Sequence, residues 1–151
     1  MPVREVTIEE LDKVSEIDED AFPEMSYPLF VLRQFFDICK GYFLVAADEN
    51  GDLDGYTLGN LDLNYKKGWV LSLAVRKNRR SGGIGFQLTS SLIEKLEKKG
   101  AREIFLTVAP QNKSAAGLYK KLGFQEIGID SNYYRDGEDR VLMKKTSSGT
   151  N

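Results

Sequence analysis

Residues Arg79-Arg80-Ser81-Gly82-Gly83-Ile84-Gly85 place three glycines within four positions. They lie between an apolar run, Trp69-Val70-Leu71-Ser72-Leu73-Ala74-Val75, and a segment (86–99) whose apolar residues recur at helical spacing. Glycine lets a chain turn tightly and approach a ligand with no Cβ in the way. The first N–H groups of a following helix lack intrahelical acceptors and sit at the positive end of its dipole. A strand, a glycine turn and a helix N-terminus together suit a phosphate or pyrophosphate. Neither common nucleotide pattern is present: no Gly-Lys-Ser/Thr follows, and Leu88 occupies the last position of a G-x-G-x-x-G spacing. What remains is Arg80-x-x-Gly83-x-Gly85.

The chain contains no histidine. Ser-His and Cys-His nucleophile pairs and histidine-based metal sites are therefore excluded, and no metal is expected. A general base must be a carboxylate, a lysine, a tyrosine or a water held by polar groups. The single cysteine, Cys39, rules out an intramolecular disulfide and fits a reducing, cytoplasmic setting.

The elements that must position these residues follow from spacing. Residues 2–6 read as a strand, and Thr7-Ile8-Glu9-Glu10 has capping-box spacing ahead of Leu11, Val14 and Ile17. Between Glu9 and Glu24 stand eight acidic residues and one lysine. Such a run reads as a solvated helix face, or as an acidic rim that attracts a cationic amine. Pro23 and Pro28 end that helix. A second helix (28–40) is apolar over a wide arc, and core packing is expected for most of it. Strands are expected at 42–47, 53–63 and 69–75, the second interrupted by Gly55 and Gly59, forming three antiparallel strands in series. After the glycine turn come a helix capped near Gly100, a strand (102–108), a short helix (112–121) and strands at about 124–130 and 140–144. The order β-α-α-β-β-β-α-β-α-β-β implies an α/β fold with a mixed sheet and helices on both faces.

At 151 residues, 41% apolar and 29% charged with net charge −2, the composition suits one globular domain (1–145) with a small polar tail (146–151) expected to be disordered. Nucleic acid is not expected as a partner, and no run is long enough to span a bilayer. The N-terminus lacks signal-peptide order.

Three features in register resemble the GCN5-related N-acetyltransferase (GNAT) superfamily. They are Val75-x-x-x-x-Arg80-x-x-Gly83-x-Gly85, Leu106-x-Val108, and Asn112-x-x-Ala115-x-x-Leu118-Tyr119-x-x-Leu122-Gly123-Phe124. The resemblance implies the GNAT fold with splayed central parallel strands, acetyl-coenzyme A as co-substrate, and direct acetyl transfer to a primary amine. It implies that the amides of Ser81, Gly82, Gly83, Ile84 and Gly85 bind the pyrophosphate, with Arg80 bracing the loop or a phosphate. The backbone of Leu73 and Val75 would pair with the pantetheine arm, and an N–H there could hold the oxyanion. Asn112 would bond the cofactor arm, although Asn there is an equally good helix N-cap. Tyr119 would be the catalytic acid, its phenol protonating the departing thiolate from the neutral-to-alkaline range.

The ribosomal-protein-alanine branch of the family carries a glutamate on the fifth strand where this chain has Thr107. Ser72, Glu24, Tyr133 or Tyr134 could instead hold a proton-relaying water. Phe22-Pro23-x-x-x-Tyr27-Pro28 and Asn132-Tyr133-Tyr134 are similar to acceptor-gripping pieces of Nα-terminal acetyltransferases, which nominates Glu24, Tyr27, Tyr133 and Tyr134 for the acceptor. The expected acceptor is a protein or peptide α-amine, with a polyamine, amino sugar or amino acid as the alternative. A non-catalytic acyl-CoA-binding module is the alternative of another class. A monomer or homodimer is expected.

Overall fold

The computed structural model describes residues 2–147. The elements follow the expected order: β1 (Val3–Glu5), α1 (Leu11–Ala21), α2 (Leu29–Ile38), β2 (Phe43–Ala47), β3 (Leu53–Asp62), β4 (Lys67–Val75), α3 (Ile84–Lys98), β5 (Glu103–Val108), α4 (Lys113–Lys121), β6 (Gln125–Asp130) and β7 (Arg140–Thr146). Short 3-10 turns precede α1 (Ile8–Glu10) and α3 (Lys77–Arg79). The seven strands form one mixed sheet in the order β1-β2-β3-β4-β5-β7-β6. β1 with β2, β2 with β3, β5 with β7 and β6 with β7 are antiparallel. β4 and β5 are parallel, in a register running from Lys67–Glu103 to Trp69–Phe105.

The described residues group into two compact units, one of residues 2–60 and 70–95 and one of 61–69 and 96–147. In the first, α1 and α2 supply Leu11, Val14, Ile17, Leu32 and Cys39 to a core shared with Phe43, Val45, Tyr56 and Leu58. The Thr7 amide donates to Glu10 Oε1 at 3.0 Å, so the predicted helix-start chemistry is present, although it caps the 3-10 turn that leads into α1. α2 buries less than its composition suggests. Leu32 is fully buried and Phe35 and Phe36 pack partly on the core, whereas Phe30 and Ile38 are each 67% exposed. Positions 32, 35, 36 and 39 follow the i, i+3, i+4, i+7 stripe, and one stripe is all that a helix lying on one face can bury.

In the second unit, β5 alternates, with Ile104, Leu106 and Val108 buried. β7 continues through Thr146. The Ser147 amide bonds the Arg102 carbonyl at 2.8 Å and its hydroxyl bonds the Ala101 carbonyl at 2.9 Å. The expected disordered tail therefore does not begin at 146, because backbone pairing holds 146 and 147; residues 148–151 lie outside the described set.

Candidate active site

The glycine turn belongs to the first unit. β4 ends at Val75, and the 3-10 turn over Lys77–Arg79 redirects the chain. Ser81 (φ +72°) and Gly83 (φ +83°) then take left-handed backbone. α3 starts at Ile84, two residues earlier than the apolar spacing suggests, so Ile84 and Gly85 belong to its first turn. Gln87 N–H bonds the Gly83 carbonyl at 3.0 Å. The amides of Ile84, Gly85 and Phe86 precede that bond and have no i−4 acceptor within the helix. Ser81, Gly82 and Gly83 are exposed.

Two arginines hold the turn. Arg80 Nε donates to the Val75 carbonyl at 3.1 Å, so the side chain braces the loop against the strand it leaves. Arg79 Nε lies 3.3 Å from Asp54 Oδ1, and its Nη2 lies 3.6 Å from Asp48 Oδ2. The Asp54 side chain is only 3% exposed, and its Oδ2 has no hydrogen-bond partner among the described residues. Replacing Arg79 by alanine strands that carboxylate. Urea unfolding is expected to show a loss of about 2 kcal/mol; a change below about 0.5 kcal/mol would mean the pair is only a screened surface contact.

The acidic run is a solvated face, as expected, with Asp18 as the exception. Asp18 is 1% exposed, while Asp12, Glu16, Glu19 and Asp20 face solvent. One carboxylate oxygen accepts the Tyr27 amide at 2.8 Å, and the other accepts the Tyr56 hydroxyl at 2.6 Å. Tyr56, fully buried, lies 2.9 Å from Ser72 Oγ on β4. Burial pushes the Asp18 carboxyl above its usual range, opposed by the hydrogen bonds from Tyr56 and Tyr27. Burial also holds Tyr56 well above an ordinary phenol, reinforced by the charge of Asp18. The signal for Asp18 was in the sequence: it falls four residues after Val14 and seven after Leu11, on the helix's apolar stripe. Tyr56, 38 residues away, had no local signal.

The nominated loop residues divide. Tyr27 is half-buried, packs edge-on against Phe35 at 5.2 Å, and donates from its hydroxyl to the Leu71 carbonyl at 3.4 Å. Leu71 is on β4, next to Ser72. Glu24 is exposed. Leu73 and Val75 are half-buried on β4.

In the second unit, Tyr119 is buried on α4 and packs edge-on against Phe124 at 5.8 Å. Burial lifts its phenol to about 12, with the Arg140 charge opposing. That departs from the neutral-to-alkaline acid read from the sequence, because packing removes the water that would solvate a phenolate. A free thiol titrates near ~8.5, so complete proton transfer from such a phenol to a thiolate is uphill by about 5 kcal/mol. A hydroxyl that stays protonated across working pH is instead a permanent hydrogen-bond donor. Asn112 caps α4, its Oδ1 accepting the Ala115 amide at 3.1 Å. The side-chain oxygen holds that cap, and the NH2 group adds two donors for a ligand.

Thr107 takes part in a cluster not read from the sequence. Arg140 donates from Nε to Thr107 Oγ1 and from Nη2 to the Thr107 carbonyl, both at 3.0 Å. Tyr134 Oη lies 3.4 Å from Thr107 Oγ1, and the Arg140 guanidinium sits over the Tyr134 ring at 5.2 Å. Tyr133 packs against Tyr134 at 4.9 Å, and its amide bonds the Glu138 carbonyl at 3.3 Å. Tyr134 of the β6–β7 connection thus stands beside Thr107 with Arg140 against its ring, and Tyr133 packs on Tyr134. Arg140 pairs with Thr107 across 33 residues, through the β5–β7 ladder.

Residues 11–124 match the acetyltransferase (GNAT) family. The N-alpha-acetyltransferase of Sulfurisphaera tokodaii is 32% identical over 152 residues, covering 93% of this chain and 90% of that protein. The [ribosomal protein bS18]-alanine N-acetyltransferase of Escherichia coli K12 is 34% identical over 105 residues, covering 68% of this chain and 70% of that protein. The crystal structure of the ribosomal-protein-S18-alanine N-acetyltransferase from Escherichia coli superposes with a TM-score of 0.79 at 25% identity, over 99% of this chain and 97% of that one. With its strand–glycine turn–helix and its seven-stranded mixed sheet, the chain belongs to the GNAT acetyltransferase family, and is an acyltransferase whose donor is acetyl-coenzyme A.

Proposed function

We propose that this acetyltransferase acetylates the α-amine of a protein or peptide N-terminus. The observation that carries the reading is the anchoring of Tyr27: its amide is tied to buried Asp18 and its hydroxyl reaches the Leu71 carbonyl. This makes the segment between α1 and α2 a fixed wall beside β4, suited to holding a chain end in one orientation. The likeness to the Sulfurisphaera N-alpha-acetyltransferase along almost the whole chain supports it. Tyr133 and Tyr134 serve as further acceptor contacts, and Glu24 on the exposed segment attracts the amine.

The donor half follows from the turn. The amides of Ile84 and Gly85, with the exposed backbone of Ser81, Gly82 and Gly83, fit a pyrophosphate through hydrogen bonds and the α3 dipole. Arg80, engaged with Val75, keeps the turn in shape. The β4 backbone at Leu73 and Val75 pairs with the pantetheine arm, and an N–H of that strand stabilises the oxyanion. Asn112 contacts the cofactor arm through its NH2. The neutral amine attacks the thioester carbonyl, and positioning supplies much of the acceleration. Tyr119 donates a hydrogen bond to the departing sulfur. Cys39 is buried at the end of α2, which fits direct transfer with no acyl-enzyme. Among the described residues no helix is long and apolar enough to cross a membrane, and we take the setting to be cytoplasmic.

Coenzyme A release tests the acceptor class, using peptides with free and blocked N-termini alongside polyamines and amino sugars. Free-amine peptides are expected to turn over, with the acetyl group located on the α-nitrogen by fragmentation mass spectrometry. Inert peptides beside a small amine that reacts would reverse the assignment.

A further inference from the structure

We propose that Ser72, Tyr56 and Asp18 form a proton relay that receives the proton released by the attacking amine. The proposal rests on the amine-acetylating reading above, and assigns it the base that the histidine-free sequence and Thr107 leave unfilled.

The hydrogen bonds give the chain a direction. Tyr56 has one hydroxyl proton, and at 2.6 Å it goes to Asp18 Oδ1. The Tyr56 oxygen, 2.9 Å from Ser72 Oγ, must then accept from Ser72. With its only proton turned inward, Ser72 presents lone pairs alone to anything outside. Ser72 is half-buried while Asp18 and Tyr56 are 1% and 0% exposed, so the serine is the single point where the chain meets the surface of β4. Its main chain is pinned as well. The buried Thr57 hydroxyl donates to the Ser72 carbonyl at 2.9 Å, and the neighbouring Leu71 carbonyl takes the Tyr27 hydroxyl. An amine N–H directed at this strand therefore meets a fixed acceptor.

The step balances without another reagent. As nitrogen forms its bond to the carbonyl carbon and the C–S bond breaks, the N–H proton passes to Ser72 Oγ. The Ser72 proton passes to Tyr56 Oη, and the Tyr56 proton passes to Asp18. Each hydroxyl ends neutral, Asp18 becomes a carboxylic acid, and the thiolate leaves hydrogen-bonded and is protonated by solvent. Asp18 returns its proton to water through Tyr56 and Ser72 once product departs. No free serine or tyrosine anion arises, so the high phenol pKa of Tyr56 is no obstacle. The groups that face Asp18 and Tyr56 are Tyr27 from the segment after α1 and Glu19 from α1 itself. No cation is among them, so a neutralised Asp18 loses no ion pair.

The test is made on whichever amine turns over in the coenzyme A release panel, so that failure of the acceptor class is read on wild-type protein and failure of the relay on variants. Ser72→Ala, at a half-buried hydroxyl, is expected to lower kcat by one to two orders of magnitude, roughly the contribution of a positioned proton acceptor. The KM for acetyl-coenzyme A should stay within about twofold, since a lost proton path alters the transition state rather than donor binding. Its rate should rise with pH further than that of wild type, as hydroxide replaces the missing path. Ser72→Thr should recover most of the rate. Tyr56→Phe should match Ser72→Ala, and the double variant should be no slower, because one broken link already stops the chain. A Ser72→Ala kcat within about twofold of wild type overturns the relay. So does a Tyr56→Phe loss that multiplies with it. The serine variants decide the question even if Tyr56→Phe does not fold.

Discussion

Replacing Gly55 by alanine is expected to lower the melting temperature by roughly 4–8 °C, from a loss of about 2 kcal/mol. A Cβ at this position would stand 2.7 Å from the Ala74 carbonyl oxygen, 3.2 Å from Leu88 Cδ1 and 3.3 Å from Val75 Cα. The first and third of these are backbone and cannot rotate away. They belong to the last two residues of β4, and Leu88 is on the first turns of α3, so relief must come by pushing the strand end or the helix. The usual entropic gain from Gly→Ala, about 0.4–1 kcal/mol, offsets only part of the loss. Because both elements flank the glycine turn, the KM for acetyl-coenzyme A should rise alongside. An alanine variant that melts within a degree of wild type would show that the strand end yields freely.

Tyr119→Phe is expected to reduce kcat by 10- to 100-fold while acetyl-coenzyme A affinity, measured by calorimetry, stays within about twofold. A hydrogen bond from a neutral donor to a charged sulfur contributes about 1.5–3 kcal/mol, which corresponds to that range of rate. Burial holds the phenol at about 12, so wild-type activity should show no decline attributable to Tyr119 near pH 10, where an exposed tyrosine ionises. The stability sign follows from the same shift. The unfolded chain releases this proton near ~10 and the folded chain near 12. Tyr119 therefore costs stability as pH rises across that window and is silent below it. Phenylalanine removes this contribution, and the alkaline fall in melting temperature should become shallower. Unchanged kcat in the variant would remove Tyr119 from the chemistry.

The elements were legible because their signals are local. The capping residues around Thr7, the proline pair after α1, the glycine turn and the Asn112 cap are each read within a few positions, and all eleven elements appear in the order expected. α2 shows the limit of composition. Ten residues rich in phenylalanine and leucine look uniformly core-forming, but one stripe faces the core and Phe30 and Ile38 do not.

The candidate site was legible only where a local motif nominates it, as at the turn and Tyr119. Asp18 was hidden inside a run of exposed carboxylates, although its spacing from Leu11 and Val14 placed it on the buried side. Tyr56 and Arg140 depend on partners brought in by strand pairing, and no window of sequence contains both ends. Even at Tyr119, the residue was evident but its acidity was not, since the packing around α4 sets that.

The chain's single sulfhydryl has a practical consequence. Cys39 is 1% exposed, and burial pushes its thiol above the ordinary range, so little reactive thiolate is offered to the solvent. Colorimetric thiol reagents added to a running reaction should therefore register released coenzyme A with almost no background from the folded protein. The same reagents should develop one further equivalent per chain when it unfolds. One dye thus distinguishes a slow variant from a denatured one in the same cuvette.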